Sequence, residues 1–208
     1  MTTTDRLRTP SSKAGRAEST RRALLDSARS LFGERGYAGT SVDEVVRHAG
    51  LTKGALYHHF RDKDDLFRAV LEEVKRDVTS AAGATFLETA AAGDSLQTVL
   101  KGCLAMIDAY EDPAAQRIAI LDARSVLDGA TRRDLDARYE VALLRASFRA
   151  AMRAGAVERQ PIAPLAHIFS GALTEACALI AEADDKDAAR TEVTEVLTRL
   201  LAGLQPRA

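Results

Sequence analysis

Residues 40–60 read TSVDEVVRHAGLTKGALYHHF, two short helical patterns parted by one glycine. No other stretch narrows the fold so far. Val42, Val45, Val46 and Ala49 recur at i, i+3, i+4 and i+7, which makes one apolar stripe. Thr40 or Ser41 suits the cap of this first helix, and Asp43 or Glu44 is placed to close a capping box. Gly50 follows at once and can take the left-handed backbone of a tight helix exit. Leu51 plugs the turn and Thr52 suits the next cap. Leu56 and Phe60, four apart, mark the buried side of the second helix. Lys53, Gly54, Tyr57 and His58 or His59 are left facing out. A helix pair of this size with a polar second member suits the DNA major groove. Gly54 is a poor helix former, but its bare backbone would let the helix approach a partner closely.

The flanks complete the unit. From Thr20 to Arg35, Leu24, Ala28, Leu31 and Phe32 fall at helical spacing, and Gly36 ends the run. Asp62 with Asp65 is a second candidate capping box. It opens a longer helix that carries Leu66, Phe67, Val70, Leu71 and Val74 on one face. Lys63 falls in its first turn, where its ammonium opposes the helix dipole. Contact with a phosphate is one reason to keep it there.

With these residues in view, positions 20–74 resemble the DNA-binding domain of the tetracycline-repressor (TetR) family. The run LFGERGYAGTSVDEVV, the turn HAGLTKGALYHHF and the following RDKDDLF carry the resemblance. It implies an all-α fold: an N-terminal three-helix helix-turn-helix DNA-binding domain plus a C-terminal helical ligand-binding and dimerisation domain. The expected divisions are a disordered basic arm (1–19), a DNA-binding domain (20–66) and an effector and dimer domain (67–208). The residues assigned to the DNA face are Thr40, Ser41, Thr52, Lys53, Gly54, Tyr57, His58, His59 and Lys63. The resemblance implies that Tyr57 and His59 meet backbone phosphates beside Thr40 and Lys63, and that Lys53 and Gly54 face base edges. A lysine that donates to guanine O6 and N7 is worth about 1–3 kcal/mol of discrimination.

Composition agrees with an all-α chain. The 208 residues are 46% hydrophobic and 28% charged, and β-branched runs are scarce. The net charge of −1 hides an asymmetry. Residues 1–63 carry 12 Lys and Arg against 7 Asp and Glu, a net +5, while residues 64–208 carry 17 against 23, a net −6. The positive end is the end with the helix pair, which orients it toward a polyanion. Arg6, Arg8, Lys13 and Arg16 of the polar start either reach into a minor groove or form a solvated tail. The start has no apolar core of a secretory signal, and no uncharged apolar run approaches 18 residues, so a cytoplasmic protein without a membrane span is expected. Cys103 and Cys177 lie far apart in apolar helical surroundings and read as buried thiols. His58 and His59 are adjacent, about 100° apart on a helix, and chelate one ion poorly. Neither a metal nor another cofactor is expected.

Beyond the connecting helix (about 62–80), punctuation divides the chain. Helices are expected from Asp94 or Ser95 to Tyr110, from Asp112-Pro113 to Leu127 and from Thr131 to Ala154. Two amphipathic helices close the chain. Dimer-interface candidates on those two are Leu165, Phe169, Ala172, Leu173, Ala176, Val193, Val196, Leu197 and Leu200; packing within one chain is the other reading, and the resemblance favours a homodimer. The family keeps a ligand cavity among the central helices. Its candidate lining is Met106, Tyr110, Leu121, Asp122, Tyr139, Leu143, Phe148, His167 and Thr174, with ordinary core packing as the alternative for each. The implied partners are double-stranded DNA, a second copy and an unknown small-molecule effector. An architectural or non-specific DNA-binding protein without an effector is the alternative.

Overall fold

A computed structural model describes residues 13–90 and 95–206. Among them the elements are helical: α1 (Lys13–Arg35), α2 (Val42–His48), α3 (Lys53–His59), α4 (Lys63–Ala90), α5 (Ser95–Ala109), α6 (Pro113–Ala115), a π-helical stretch (Gln116–Asp122), α7 (Ala123–Val126), α8 (Gly129–Arg138), α9 (Glu140–Arg153), α10 (Ile162–Glu182) and α11 (Lys186–Ala202). Arg6 and Arg8 of the expected arm lie outside the described residues.

Residues 13–19 belong to α1, not to a disordered arm. The segment KAGRAES holds no proline and several good helix formers, so the helix propagates backward from its buried part. That part is Leu24, Leu25, Ala28, Leu31 and Phe32. Gly36 then ends α1 with φ +74°, a value that favours glycine. The Phe32, Tyr37 and Phe67 rings close a three-way cluster, with centroids 5.2–5.9 Å apart. This cluster welds the end of α1 to the start of α4.

The connecting helix is longer than expected. It runs 28 residues to Ala90, a length of about 42 Å at 1.5 Å per residue. The Asp62 carboxylate caps it by accepting from the Asp65 amide at 2.7 Å, and Asp65 accepts in return from the Arg61 amide at 3.2 Å. Leu66 and Phe67 bury in the N-terminal part, while Val78 and Ala82 bury among the later helices. The division expected at 66/67 therefore falls inside one unbroken helix, and the buried side chains of both parts form one cluster.

Two of the expected downstream helices are subdivided. The stretch from Asp112 to Leu127 starts as foreseen, with the Asp112 side chain accepting from the Ala115 amide and Pro113 at the first position, but it passes through the π-helical stretch. The expected helix from Thr131 to Ala154 is broken at Tyr139, whose φ and ψ are −108° and −79°. Helix α10 is long and apolar enough to cross a bilayer by length and composition. Leu165, Ala166, Phe169, Leu173, Ala176, Cys177 and Ile180 on its inner face bury within the chain, so here it is a core helix. Cys103 and Cys177 are buried free thiols, and burial pushes both up to about 12.

A buried ionic group fastens α4 in the larger part. The Lys75 ammonium lies 2.8 Å from Asp136 and 2.9 Å from Glu140, and the Lys75 and Glu140 side chains are 5% and 3% exposed. Tyr110 donates its hydroxyl to Glu140. Burial alone would lower the Lys75 pKa; the two carboxylates outweigh it and hold the ammonium charged.

The two parts also meet away from α4. A Cβ at Gly33 of α1 would sit 2.5 Å from the Ala114 Cβ and 3.1 Å from its Cα. The Tyr37 amide donates to the Asp122 carboxylate at 2.7 Å. A Cβ at Gly36 would lie within 3.2 Å of both Arg117 and Asp122. Five residues apart, these would point about 140° from each other on an α-helix. The π-helical register, bonded i to i+5, brings them to one side. Helix α1 is tied to α4 itself by Arg22 paired with Glu73 at 3.2 Å and Arg29 with Asp77 at 2.5 Å.

Two outcomes follow for equilibrium unfolding in denaturant. Gly33→Ala lowers stability by about 1–2 kcal/mol: overpacking against backbone costs roughly 1–3 kcal/mol, and the gain in helix propensity returns at most about 1. Lys75→Met strands a buried carboxylate and costs about 3–5 kcal/mol, and adding Glu140→Gln recovers part of that loss.

Candidate nucleic-acid interface

Local chemistry builds the α2–α3 pair as the sequence pattern indicates. Ser41, rather than Thr40, caps α2: its side chain accepts from the Glu44 amide at 3.2 Å while Glu44 accepts from the Ser41 amide at 2.8 Å. The Ser41 hydroxyl and then the Ser41 amide, both donating to the Glu44 carboxylate, hold that carboxyl below its usual value with help from Arg35. Gly50 has φ +66° with open space where a Cβ would be, so conformation rather than crowding requires it. The Leu51 amide then donates to the Val46 carbonyl at 2.8 Å. Thr52 caps α3 by accepting from the Ala55 amide at 3.2 Å.

Helix α3 is pinned on one side and bare on the other. Leu56 and, at its end, Phe60 are buried, and the Arg21 guanidinium lies over the Phe60 ring at 5.3 Å. Tyr57 is 54% exposed. His58 is exposed, His59 is half-buried, and a Cβ on Gly54 would meet nothing nearer than the Thr52 hydroxyl at 3.9 Å. Within the one helix that Lys53 begins, the structure thus gathers an aromatic hydroxyl, two imidazoles and an unobstructed backbone.

Besides Ser41 and Thr52, whose side chains cap α2 and α3, three of the sequence-assigned residues have other engagements. Thr40 is buried, and its hydroxyl reaches the Leu31 and Gly36 carbonyls at 3.1 and 2.9 Å. That side chain closes the α1–α2 turn and is not free for a phosphate. Lys63 has an intramolecular reason for its place: its ammonium sits 3.9 Å from the centre of the Tyr37 ring, a cation–π contact. Desolvation there lowers the Lys63 pKa. Lys53 lies 2.7 Å from the Asp43 carboxylate, with both side chains more than half exposed. Asp43 was a residue the pattern could only offer as a cap; Glu44 takes that role and leaves Asp43 to Lys53.

The expected effector-lining residues fall into different settings among the described residues. Met106, Tyr110 and Phe148 are core residues, with Phe148 edge-on to Phe169 at 4.9 Å. Leu143 and Thr174 are half-buried, and the Thr174 hydroxyl donates to the Ser170 carbonyl. Tyr139 donates to Glu72 at 2.9 Å. Asp122 serves the contact with Tyr37. Leu121 is 41% exposed and lines an open groove of about 580 Å³ between α1 and α6, beside Gly33 and Arg117. His167 is exposed on α10 and does not face the core.

The dimer candidates also separate. Leu165, Phe169, Leu173, Ala176 and Leu197 are already buried within a single chain. Val196 and Leu200 are about half exposed, as are Ile168 and Leu179, which the selection omitted. Helix α10 is apolar nearly all round, so periodicity could not tell its inner face from its outer one. Ala172, Leu179, Val193, Val196 and Leu200 line an open apolar groove of about 390 Å³ between α10 and α11.

A three-helix unit with an exposed third helix, joined by a long helix to an all-helical second part, defines a helix-turn-helix regulator. Residues 24–70 match the family described as bacterial regulatory proteins, tetR family, and residues 96–204 match the tetracyclin repressor-like C-terminal domain. A solved TetR-family transcriptional regulator from Pectobacterium atrosepticum is 34% identical, with 94% of this chain and 98% of that one covered and a TM-score of 0.78. AcrR of Shigella flexneri is 46% identical over 56 residues, 27% of this chain and 26% of AcrR. The repressor AcnR of Corynebacterium glutamicum is 30% identical over 126 residues, 54% of this chain and 62% of AcnR. These curated relatives are thus matched over less than two thirds of their length. The chain belongs to the TetR family of transcriptional regulators.

Proposed function

We propose that this protein is a repressor that binds a palindromic operator as a homodimer and is released by a small-molecule effector. The observation that carries the reading is α3: anchored by Leu56 and Phe60, capped by Thr52, and bare along Gly54, Tyr57 and His58. A rigid polar helix of this kind enters a major groove, with the Tyr57 hydroxyl and the imidazoles placed for phosphates and Lys53 for a base edge. One such helix reads few base pairs. Two of them, about 34 Å apart or a multiple, read a palindrome. The apolar stripe of Ile168, Leu179, Val196 and Leu200 supports pairing of two copies through α10 and α11. The regulator would act in the cytoplasm, where its duplex target lies.

Effector release fits the linkage between the parts. Helix α4 and the Asp122–Tyr37 contact both join the helix-turn-helix unit to the larger part. A ligand that prefers an arrangement with the wrong helix spacing shifts the population away from DNA, and to move it from 1:99 to 99:1 that preference must reach about 5.5 kcal/mol.

Selection of bound duplexes from a random pool by the purified protein tests the reading. A palindrome with half-sites about one helical turn apart, or a multiple, is the expected product. Recovery of duplexes without a shared sequence would instead mark a non-specific binder. Gly54→Ala keeps or raises thermal stability, by up to about 1 kcal/mol, yet weakens binding to the selected duplex, as read by fluorescence anisotropy. Val196→Arg with Leu200→Arg yields a folded monomer in sedimentation velocity and weakens operator binding by at least tenfold.

A further inference from the structure

We infer that Asp43 is a specificity-determining positioning residue: in the free protein it holds the Lys53 ammonium away from phosphates, and a matching base edge takes the lysine over. The inference rests on the DNA-binding reading above.

Lys53 is the first residue of α3, and its Nζ lies 2.7 Å from Oδ1 of Asp43 in the first turn of α2. Helix capping does not explain this carboxylate, because Ser41 and Glu44 complete the box without it. Glu44 in turn pairs with Arg35 at 3.1 Å. Asp43 is 63% exposed on the face that would meet a polyanion. There it repels every duplex alike and takes away one cation that any duplex would attract. The carboxylate also favours the charged form of Lys53 through a hydrogen bond and direct attraction.

The exchange has different outcomes on different DNA. A phosphate offers Lys53 an exposed anion much like the one it already has. Guanine offers two fixed acceptors, O6 and N7, in a groove from which water is partly displaced. Release from Asp43 is therefore nearly profitless on a random duplex and favourable on the matching one. Specificity is a difference between two affinities, and a built-in penalty against the wrong partner raises it as surely as a new contact to the right one.

The test compares Asp43→Asn with the unaltered protein on a duplex recovered by selection and on a scrambled duplex of equal length and composition. Binding is read by anisotropy across a salt series. The variant should tighten the scrambled duplex more than the selected one, so that the ratio of affinities falls at least about fivefold, the low end of one base contact's discrimination. Asp43→Glu should keep most of the ratio. In a Lys53→Ala background, Asp43→Asn should shift both duplexes by one common factor. A common factor in the presence of Lys53 would overturn the inference, since simple loss of a negative charge predicts that. An equal fall of the ratio with and without Lys53 would overturn it as well. If the unaltered protein does not distinguish the two duplexes, the operator-specific reading itself fails, and the inference with it.

Discussion

A seven-residue helix has no stability of its own in water, and α3 has seven residues. Its existence depends on the burial of Leu56 and Phe60 against the hydrophobic cluster built on α1 and α4. That burial also fixes its rotation. With Leu56 inward, Gly54 and His58 fall about 160° round the helix and Tyr57 about 100°, on the open side, while Lys53 is exposed in the first turn. The polar face is thus a by-product of where two apolar side chains go. The Thr52 and Ser41 caps trim the ends, and Gly50 sets the angle between the two helices, but neither could hold α3 without the anchor.

The same economy appears where the two parts of the chain meet. A single helix as connector would leave the small unit free to pivot about α4. Here a second junction lies beside it. Gly33 brings α1 against Ala114 without space for a methyl group, and Asp122 takes the amide of Tyr37. The buried Lys75 group fixes the far side of α4 against α8 and α9. Helix α4 is therefore clamped at both levels, by aromatic rings near its start and by charges two to three turns further on.

Much of this was legible in the residues. The α2–α3 pair followed from apolar spacing, from Gly50 and from short polar caps, all of them local signals whose physics acts within four residues. The starts of α4 and α6 were equally local, set by Asp62 and Asp112. What escaped was non-local. Asp122 looked like a lone acid on an apolar helix because its partner, the Tyr37 amide, is 85 positions away. Lys63 looked like a phosphate ligand because the ring beneath it belongs to Tyr37, in the turn after α1. The inner face of α10 was hidden by its nearly uniform apolarity, and the early start of α1 by a polar composition that suits a tail as well as an exposed helix. The choice between Thr40 with Asp43 and Ser41 with Glu44 was open in the sequence; the structure gives the cap to Ser41, because Thr40 is buried with its hydroxyl on the Leu31 and Gly36 carbonyls.

Tyr37 collects more of these contacts than any neighbour in the small unit. Its amide serves Asp122, its hydroxyl meets Asp64, its ring stacks on Phe32 and meets Phe67 edge-to-face, and the Lys63 ammonium lies over that ring. Desolvation first, and then the nearby carboxylates, push its phenol up to about 12, so it stays uncharged throughout the physiological range. One residue therefore reports to three elements at once. A displacement of the π-helical stretch tugs its main chain, whereas a ligand that draws Lys63 away uncovers its ring. Main chain and ring of one residue thus tie the π-helical stretch, α1 and the start of α4, which makes the short turn after α1 a junction rather than a mere connector.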